Sequence, residues 1–547
     1  MTLTAQATEE RATAARSMDR PPRGLLGTRW FPAVLGVLVL LGCWSLAALL
    51  GGTSRHVIPQ PFAVLRTMVA DGFYSDNLLT TGWEALRGFV IGNVLALLLA
   101  GLCLLLPGAQ RTLTRLAAAS YCAPAVAIGP VLAVILDPDQ AKVIISALSV
   151  LFTTMLGAVL GLSSAPNSAL ELVHVTGGSP LFALLRIRLR AAVPAVLAAI
   201  GLSVPAALLG AIVGEYLGGD RGLGVALVQA QLALQVPRTW ALALLTTGVA
   251  GLAYLVISLL GRRLRFVAVT SELVGTDPTR RTDLGTARRP LAGRLATGAV
   301  RSVAIVLGTC LVWWLLLKML GLDPYLAKTP LDVLRYLFFD AGASAHRAAV
   351  GQGLLITLRD AFGGYLVGTV LAVLLAVLML GSRFAESMFL PVALALRSVP
   401  LVAMTPLVAL VFGRGLLGVT ALATTITVVP TLVNLVAALR EVPAPATDLL
   451  RAYAVSWPRA MFTVRLYYAL PALAMSARVA IPGALLGATL AEFLITGEGL
   501  GRLIALSTIN SDFQTLWAAV VVVTAVSVVL FGALTWLETT ALRRLAG

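Results

Sequence analysis

The residue types that carry most enzymatic chemistry are scarce in this sequence and widely spaced. The three lysines are Lys142, Lys318 and Lys328, and none of them follows a glycine. The phosphate-cradling Gly-x-x-x-x-Gly-Lys loop is therefore missing, and the chain is not expected to hydrolyse ATP by that mechanism. The histidines and cysteines are equally dispersed: His56, His174, His346, Cys43, Cys103, Cys122 and Cys310. The sequence predicts no catalytic residue and no metal site.

One arginine stands where a charge is costly. Arg478 follows Pro471 by seven residues in a long apolar run, about 10–12 Å along a helix. A charge inside a membrane-spanning segment costs from about 2.5 kcal/mol upward and usually faces a bundle interior or a watery cavity. We therefore predict that Arg478 serves a polar pathway. The structural alternative is that its guanidinium caps carbonyls freed near Pro482 or extends towards the membrane surface.

Prolines recur at membrane depth and are candidate hinges. Proline removes a backbone donor and frees a carbonyl, so it permits a kink within an apolar helix. A static kink that only shapes packing is the equally weighted alternative. The residues in question are Pro124, Pro130, Pro205, Pro400, Pro406 and Pro482.

The elements that must position these residues are membrane-spanning helices. Hydrophobic residues make up 59% of the chain and charged residues only 12%, against about 25% charged in soluble domains. The net charge of +16 lies in arginine clusters between apolar runs, which indicates membrane orientation and not nucleic-acid binding. Runs of about 20 apolar residues give twelve predicted spans. They are 31–50, 82–106, 114–136, 142–162, 192–218, 240–261, 299–320, 354–380, 388–412, 416–438, 470–494 and 515–541.

The arginine-rich segments alternate with mixed or acidic loops, so they define one side of the membrane as cytoplasmic. Both termini and a polar linker fall on that side. We expect a bacterial inner-membrane protein in contact with lipid. The predicted divisions are a tail at 1–29, a first repeat at 30–265, a linker at 266–298 and a second repeat at 299–547.

The two halves are internal repeats. Landmarks recur at a nearly constant spacing, since Gly88 matches Gly364 and Glu215 matches Glu492 with one position of drift between the two pairs. A six-span repeat has an even number of crossings, so both halves enter the membrane from the same side. The sequence therefore predicts an all-α polytopic membrane protein whose parallel six-helix repeats are related by a pseudo-two-fold axis along the membrane normal.

A second repeated signal precedes the fifth span of each half. It predicts a short helix, a break and a second short helix, with Gly177 and Gly178 allowing the positive φ that ends the first helix. Ser179 is placed to cap the next helix, and Ser456 occupies the matching position. A capped helix-turn-helix at the inner membrane surface of both repeats is typical of a docking element.

These segments resemble the Glu-Ala-Ala…Gly loop of binding-protein-dependent ABC importer permeases. The sequences Arg397-Ser398-Val399-Pro400 and Ala491-Glu492-Phe493, followed by Gly499-Leu500-Gly501, extend the similarity to sulfonate/taurine/nitrate-type permeases, a type I importer class, here with two copies fused. The similarity covers all but the tail and linker.

The resemblance implies a transport subunit that is not an enzyme and holds no cofactor, with ATP and Mg on two separate cytoplasmic ATPase subunits. It implies ATPase coupling through Glu171, Gly177, Gly178, Ser179, Asp448, Ala454 and Ser456. It implies a translocation pathway near Arg478, Pro130, Pro406, Pro205 and Pro482. An extracytoplasmic solute-binding protein would face Glu215, Gly222, Gly224, Glu492, Gly499 and Gly501.

The expected cargo is a small polar or anionic organic solute such as a sulfonate, taurine, a nitrate-like ion or a vitamin precursor. A twelve-span secondary transporter with parallel repeats is the main alternative. It would share the hydropathy pattern but would not require a helix-turn-helix before spans five and eleven. An integral-membrane enzyme would need a catalytic cluster, which the sequence does not display.

Overall fold

The computed structural model describes residues 31–50, 58–70, 74–105, 125–263, 306–319, 321–382, 384–386, 388–389 and 401–545. The predictions about the tail 1–29, the linker 266–298, Pro124 and Pro400 lie outside the described residues. Within the described ranges the chain is helical and contains no β-strand.

The helices of the first half lie between residues 31 and 263. They are α1 (Phe31–Leu50), α2 (Pro61–Ala70), α3 (Tyr74–Leu105), α4 (Ala125–Ile135), α5 (Pro138–Ser163), α6 (Asn167–Val175), α7 (Leu189–Gly218), α8 (Leu223–Leu232) and α9 (Val236–Arg263). One α-helical turn, Pro180–Ala183, and a π-helical segment, Leu184–Arg188, lead without a break into α7.

The second half repeats this order, so that each helix corresponds to the one nine numbers earlier. Its helices are α10 (Val306–Met319), α11 (Pro330–Phe338), α12 (Ala343–Gly381), α13 (Leu401–Phe412), α14 (Leu416–Arg440), α15 (Ala444–Ala452), α16 (Leu466–Leu494), α17 (Gly499–Ile509) and α18 (Phe513–Leu545). Trp457–Ala460 and π-helical Met461–Arg465 lead into α16.

Eight described helices are long and apolar enough to cross a membrane: α3, α5, α7, α9, α12, α14, α16 and α18. The helices α1, α4, α10 and α13 occupy the positions of the other predicted spans, which gives about twelve spans in two six-span repeats. The predicted boundaries differ most at 82–106 and 354–380, where α3 and α12 begin eight and eleven residues earlier. Polar first turns extend these two helices beyond the apolar run that the prediction was based on.

Small residues let neighbouring spans approach closely within each half. A Cβ added to Gly92 of α3 would meet the carbonyl oxygen of Ala147 of α5 at 2.6 Å. The matching glycine of α12, Gly368, would meet Thr427 Cβ of α14 at 2.8 Å. Glycines at equivalent positions therefore bring each pair of helices together, as small residues commonly do in membranes.

The two ends of the molecule are packed differently. At the end that carries α8 and α17, one buried cluster joins both halves and includes Val131 of α4, Ile212 of α7 and Leu500 of α17. At the end that carries α6 and α15, each half has a cluster of its own, one containing Met155 and the other Leu432. We call these ends the α8/α17 face and the α6/α15 face. The halves share a core at the first face, whereas the buried clusters described at the second face are separate.

Candidate functional site

The turn after α6 and α15 has the same backbone path in both halves. Gly177 adopts φ +76°, and the N–H of Gly178 donates to the carbonyl of Val173 at 2.8 Å. In the second half Ala454 adopts φ +50°, and the N–H of Val455 donates to the carbonyl of Leu450 at 3.0 Å. A left-handed residue followed by such a bond is the Schellman ending of a helix. The predicted break lies where Gly177 and Gly178 indicated it.

The segment after the turn differs from the prediction. The Ser179 hydroxyl accepts a hydrogen bond from the N–H of Phe182 at 3.2 Å, so it caps the following turn. Ser456 takes the N-cap position, but its side chain makes no capping hydrogen bond. The predicted second short helix is also not separate, because it runs through the π-helical segment into the fifth span. The result is one short helix joined by a tight turn to a long one.

Two arginines tie the π-helical segments to the preceding span. Arg188 Nη1 donates to the carbonyl of Leu162 at 3.2 Å, and Arg465 Nη1 donates to the carbonyl of Leu439 at 3.1 Å. Both acceptors lie in the last turn of α5 or α14, where carbonyls lack helical partners and a cation is favoured. Each short helix is therefore fixed at one end to two spans of its own half.

The short helices α6 and α15 present apolar side chains on a solvent-accessible surface. Leu172 is 65% exposed and Val175 is 83% exposed on α6, while Leu449 and Tyr453 are 60% and 76% exposed at the matching end of α15. Glu171 and Asp448 lie beside them, and neither is buried. Apolar side chains clustered with acidic ones on a short non-spanning helix are typical of a binding surface.

The α8/α17 face of the first half is organised around a buried glutamate. One carboxylate oxygen of Glu215 accepts from the Thr81 hydroxyl at 2.5 Å, and the other accepts from the Gly224 N–H at 2.6 Å. Thr81 in turn accepts from the N–H of Leu223, and Asn77 accepts from the N–H of Gly222 at 2.9 Å. Three successive backbone donors at the start of α8 are thus paired with side chains.

The second half has the same network, except that it has no counterpart of Asn77. Glu492 Oε2 accepts from the Thr357 hydroxyl at 2.6 Å and from the Gly501 N–H at 3.0 Å. Thr357 also accepts from the N–H of Leu500 at 2.9 Å. Gly353 stands where the first half has Asn77, so it offers no side chain at this point. We call each network a glutamate clamp.

The clamps overturn one set of predicted roles. Glu215 and Glu492 are 2% and 0% exposed, and the glycines assigned with them, Gly222, Gly224, Gly499 and Gly501, are buried as well. These six residues therefore do not themselves face a binding protein. Gly222 and Gly499 have φ +126° and +89°, and an added Cβ would collide with the clamp carboxylate. The acidic and glycine positions hold the backbone of α8 and α17 and lie beneath the surface.

Arg478 is paired and not free. Its Nη1 lies 3.4 Å from Glu538 Oε2 of α18, and its guanidinium is 5.9 Å from the centre of the Phe531 ring. The Arg478 and Glu538 side chains are 17% and 9% exposed. This contact joins two spans of the second half, so the arginine already has a partner within its own repeat.

The predicted hinge prolines divide into two groups. Pro130 lies inside α4 and Pro406 inside α13, and both are buried. The helix α4 packs against α16, α17 and α18 of the other half, and α13 packs against α7, α8 and α9. Pro205 and Pro482 lie near the middle of α7 and α16, ten residues before the clamp glutamates. All four therefore lie in the helices that form the junction or the clamps.

Sequence reasoning missed Thr81, Thr357 and the buried ion pair between Lys142 and Glu84. The two threonines are separated by the repeat spacing, so the repeat already contained their signal. Lys142 is not repeated, because Val419 stands at the equivalent position of the second half. Nothing in the repeat pattern could therefore have indicated its partner.

Comparison with known proteins matches the two halves to one family. A family model described as a binding-protein-dependent transport system inner membrane component matches residues 92–266 and again 368–543. The two matches begin at equivalent positions, Gly92 and Gly368, so they follow the spacing of the internal repeat. Together they cover more than half of the chain.

Curated relatives match one repeat length at a time. A probable ABC transporter permease of Haemophilus influenzae is 28% identical over 43% of this chain and 93% of its own length. A putative aliphatic sulfonates transport permease of Bacillus subtilis is 24% identical over 43% of this chain and 87% of its own length. A riboflavin transport system permease of Chloroflexus aurantiacus is 29% identical over 33% of this chain and 67% of its own length.

The helix order, the paired short helices and the twofold match agree with one another. The sequence-based identification and the predicted fold class are confirmed, including the presence of two repeats in one chain. The chain belongs to the binding-protein-dependent ABC transporter permeases and is a multi-pass membrane protein with two permease repeats.

Proposed function

We propose that this chain supplies both halves of the translocation pathway of an ATP-driven importer and binds two separate ATPase subunits through α6 and α15. The single observation that carries the proposal is the exposed apolar surface on these two short helices, which stand at matching positions in both halves. Two similar surfaces at equivalent positions of the repeats require two similar partners. Paired ATPase subunits fit that requirement.

The connection from α6 to the membrane supports a mechanical role. The turn at Gly177 leads through the π-helical segment into α7 without a break, and Arg188 ties this segment to α5. A displacement of α6 by an ATPase subunit would therefore act on two spans together. The energy for the change comes from ATP binding more tightly to one conformation than to the other.

The packing of the two faces suggests the state of the pathway. If the α6/α15 face is cytoplasmic, as the arginine distribution predicts, the shared core closes the pathway on the outer side. The separate clusters at the cytoplasmic side then belong to an inward-facing state. In this orientation both termini and the linker are cytoplasmic, and a solute-binding protein approaches the α8/α17 face.

Surface residues on the α8/α17 face offer a docking site that the buried clamps do not. Leu232 at the end of α8 is 77% exposed, and Ile509 at the equivalent position of α17 is 75% exposed. We propose that these ends contact the binding protein. The buried glutamates support that contact from below.

One experiment separates the two proposed surfaces. The double variant Leu172→Glu and Leu449→Glu should lose co-purifying ATPase subunits by roughly tenfold or more, because two charges replace exposed apolar contacts. The matched control is Leu232→Glu with Ile509→Glu, which should retain the ATPase subunits and lose stimulation by the binding protein. Equal ATPase recovery from both double variants would refute the assignment of α6 and α15.

The cargo is proposed from the relatives and from the composition of the pathway. Relatives are named as transporters of aliphatic sulfonates, riboflavin and formylaminopyrimidine. We propose a small polar or anionic organic solute, with Arg478, although it is paired with Glu538, as a candidate hydrogen-bond donor on one side of the pathway. Mass spectrometry of the ligand retained by the co-expressed binding protein tests this. A large apolar ligand would contradict it.

A further inference from the structure

The short helices α8 and α17 each lie across the junction between the halves. Leu500 at the start of α17 shares a buried cluster with Val131 of α4, which belongs to the first half. Leu223 at the start of α8 shares another buried cluster with Leu407 of α13, which belongs to the second half. Val131 and Leu407 occupy equivalent positions of the repeats, so the two halves contact each other through equivalent pairs of helices. We call these two contacts, α17 with α4 and α8 with α13, the seals of the junction.

The two seals are held by unequal numbers of hydrogen bonds. The first three N–H groups at the start of α8 donate to Asn77, Thr81 and Glu215. Among the described residues, the start of α17 has two equivalent bonds, to Thr357 and Glu492. The missing bond follows from the sequence, because glycine replaces asparagine in α12.

The glutamate of the second clamp also has fewer of its carboxylate oxygens hydrogen-bonded than the glutamate of the first. Both carboxylate oxygens of Glu215 accept hydrogen bonds. Within the described part of the chain, Oε1 of the buried Glu492 accepts none. The clamp of α17 is thus held through a single oxygen of its glutamate, and losing that group leaves one side chain to hold the helix.

Space is available beside α17. A cavity of about 390 Å³, open to the surface, lies between the later part of α17, the first turns of α12, α11 and the start of α18, and its lining includes His346, Ala349, Leu503, Leu506, Ser507 and Asn510. The later part of α17 therefore borders free volume on this side. The helix is sealed against α4 on one side and has room to move on the other.

We infer that α17 is the more mobile of the two seals and that Glu492 is the positioning residue that keeps α17 closed over the junction. The inference rests on the proposed transport function. When the halves separate at this face, α17 leaves α4 and turns towards the cavity, while the three bonds of the first clamp keep α8 with its own half. The pathway therefore opens first at the junction of α4 with α17.

The first measurement is passive leak, which requires no ATPase subunit. The purified chain is reconstituted in liposomes loaded with radiolabelled methanesulfonate, and efflux is followed without ATP. Glu492→Ala should leak about tenfold faster than the unsubstituted chain, because the hydrogen bonds from Thr357 and Gly501 to the buried carboxylate are both lost. Glu492→Gln keeps an oxygen that accepts from Gly501 and Thr357, and it should remain near the unsubstituted rate. Glu215→Ala, the matched control, should leak less than Glu492→Ala.

The second measurement locates the movement. Leu500 and Leu223 are both 0% exposed and occupy matching positions. In a background without native cysteines, Leu500→Cys should react with an impermeant maleimide about tenfold faster when Glu492→Ala is added. Leu223→Cys should stay protected in the same background. If Glu492→Ala does not fold, Thr357→Val removes the other side chain of the clamp and carries the same expectation.

Unchanged leak and labelling in folded Glu492→Ala would overturn the inference, and so would equal effects from Glu215→Ala. A rigid structural role would lower the amount of folded protein without selectively exposing position 500. Failure of the proposed function is distinguished separately: a chain that binds no ATPase subunit would refute transport coupling, while the leak and labelling results would still decide the role of α17.

Discussion

The two halves follow the same helix order, but each has a largely buried ion pair that the other lacks, and these two pairs lie at opposite ends of the molecule. In the first half Lys142 pairs with Glu84 at 3.1 Å near the α8/α17 face, where the second half has Val419 in place of the lysine. In the second half Arg478 pairs with Glu538 near the α6/α15 face. The matching positions in the first half, 201 and 261, are both glycine.

This difference shows what fusion of the halves allows. In a symmetric homodimer every substitution appears twice, so an ion pair cannot be present in one half alone. Here each half carries a buried pair that the other lacks, and the order of the helices is the same in both. The backbone contacts that build the repeat tolerate this asymmetry, because the glycine and alanine contacts between α3 and α5, and between α12 and α14, do not involve the charged positions.

The largest expected effect comes from breaking the first-half ion pair. Lys142→Met leaves Glu84 buried without its cation, and this should lower the free energy of unfolding by about 3–5 kcal/mol. The second-half counterpart of Glu84 is Asp360, whose partner Arg359 has a side chain 57% exposed. Arg359→Met leaves the buried Asp360 carboxylate without its arginine, but water reaches the position of this exposed arginine, so the cost should be smaller, about 1–3 kcal/mol.

Steric trapping in lipid bilayers measures both free energies on the same scale. The double variant Lys142→Met with Glu84→Gln is the control, since it removes both charges and should recover much of the lost stability. If the two single variants lose equal amounts of unfolding free energy, the difference in burial between the two ion pairs does not determine their contribution to stability.

The sequence predicted the repeat and the spans because both depend on long apolar runs and on spacing, which a linear pattern contains. It predicted the turn at Gly177 because few residues adopt positive φ as readily as glycine. It misassigned Glu215 and Glu492 to a surface, because a carboxylate near the end of a span is equally compatible with exposure or with a buried hydrogen-bond network. The network depends on Thr81 and Thr357, which lie far from the glutamates in the chain, and no local pattern connects them.

The second expected effect concerns the second-half ion pair. Arg478→Gln leaves the carboxylate of Glu538 buried and should cost about 2 kcal/mol. The double variant Arg478→Gly with Glu538→Gly reproduces the glycines of the first half. If the pair is only structural, uptake in vesicles should depend on stability alone in both variants. If Arg478 also serves the pathway, Arg478→Lys should retain more uptake of a small sulfonate than Arg478→Gln at equal amounts of folded protein.

Substitutions in the turns after α6 and α15 should have smaller effects on stability, and the effects should be opposite in sign in the two halves. Gly177→Ala places a Cβ on a left-handed residue and should cost about 1–2 kcal/mol. Ala454→Gly removes a Cβ from the equivalent residue at φ +50° and should stabilise the turn by up to about 1 kcal/mol. Hydrogen exchange of the α6 and α15 amides detects both. Destabilisation by Ala454→Gly would mean that the alanine methyl contributes contacts that outweigh the strain.

The smallest expected effect lies at the start of α11, which has a capping box that α2 lacks. The Thr329 hydroxyl accepts from the Asp332 N–H, and Asp332 accepts from the Thr329 N–H at 2.9 Å. The matching residues before and in α2 are Gln60 and Ala63. Asp332→Ala should destabilise α11 by about 1 kcal/mol, and Gln60→Thr with Ala63→Asp should stabilise α2 by a similar amount.

The same cap should weaken in acid. Partial burial alone would raise the pKa of Asp332, but hydrogen bonds from Thr329 and nearby Lys328 and Arg335 outweigh burial and lower the pKa from its ordinary value of 3.8. Because the folded value is the lower one, the stabilisation is complete above pH 3.8 and is lost as the pH falls through the folded value. Exchange of the α11 amides should rise in that range relative to Asp332→Ala, whose acid dependence should be flatter. If the unsubstituted chain and Asp332→Ala show the same acid dependence, the group that is protonated in this range is not Asp332.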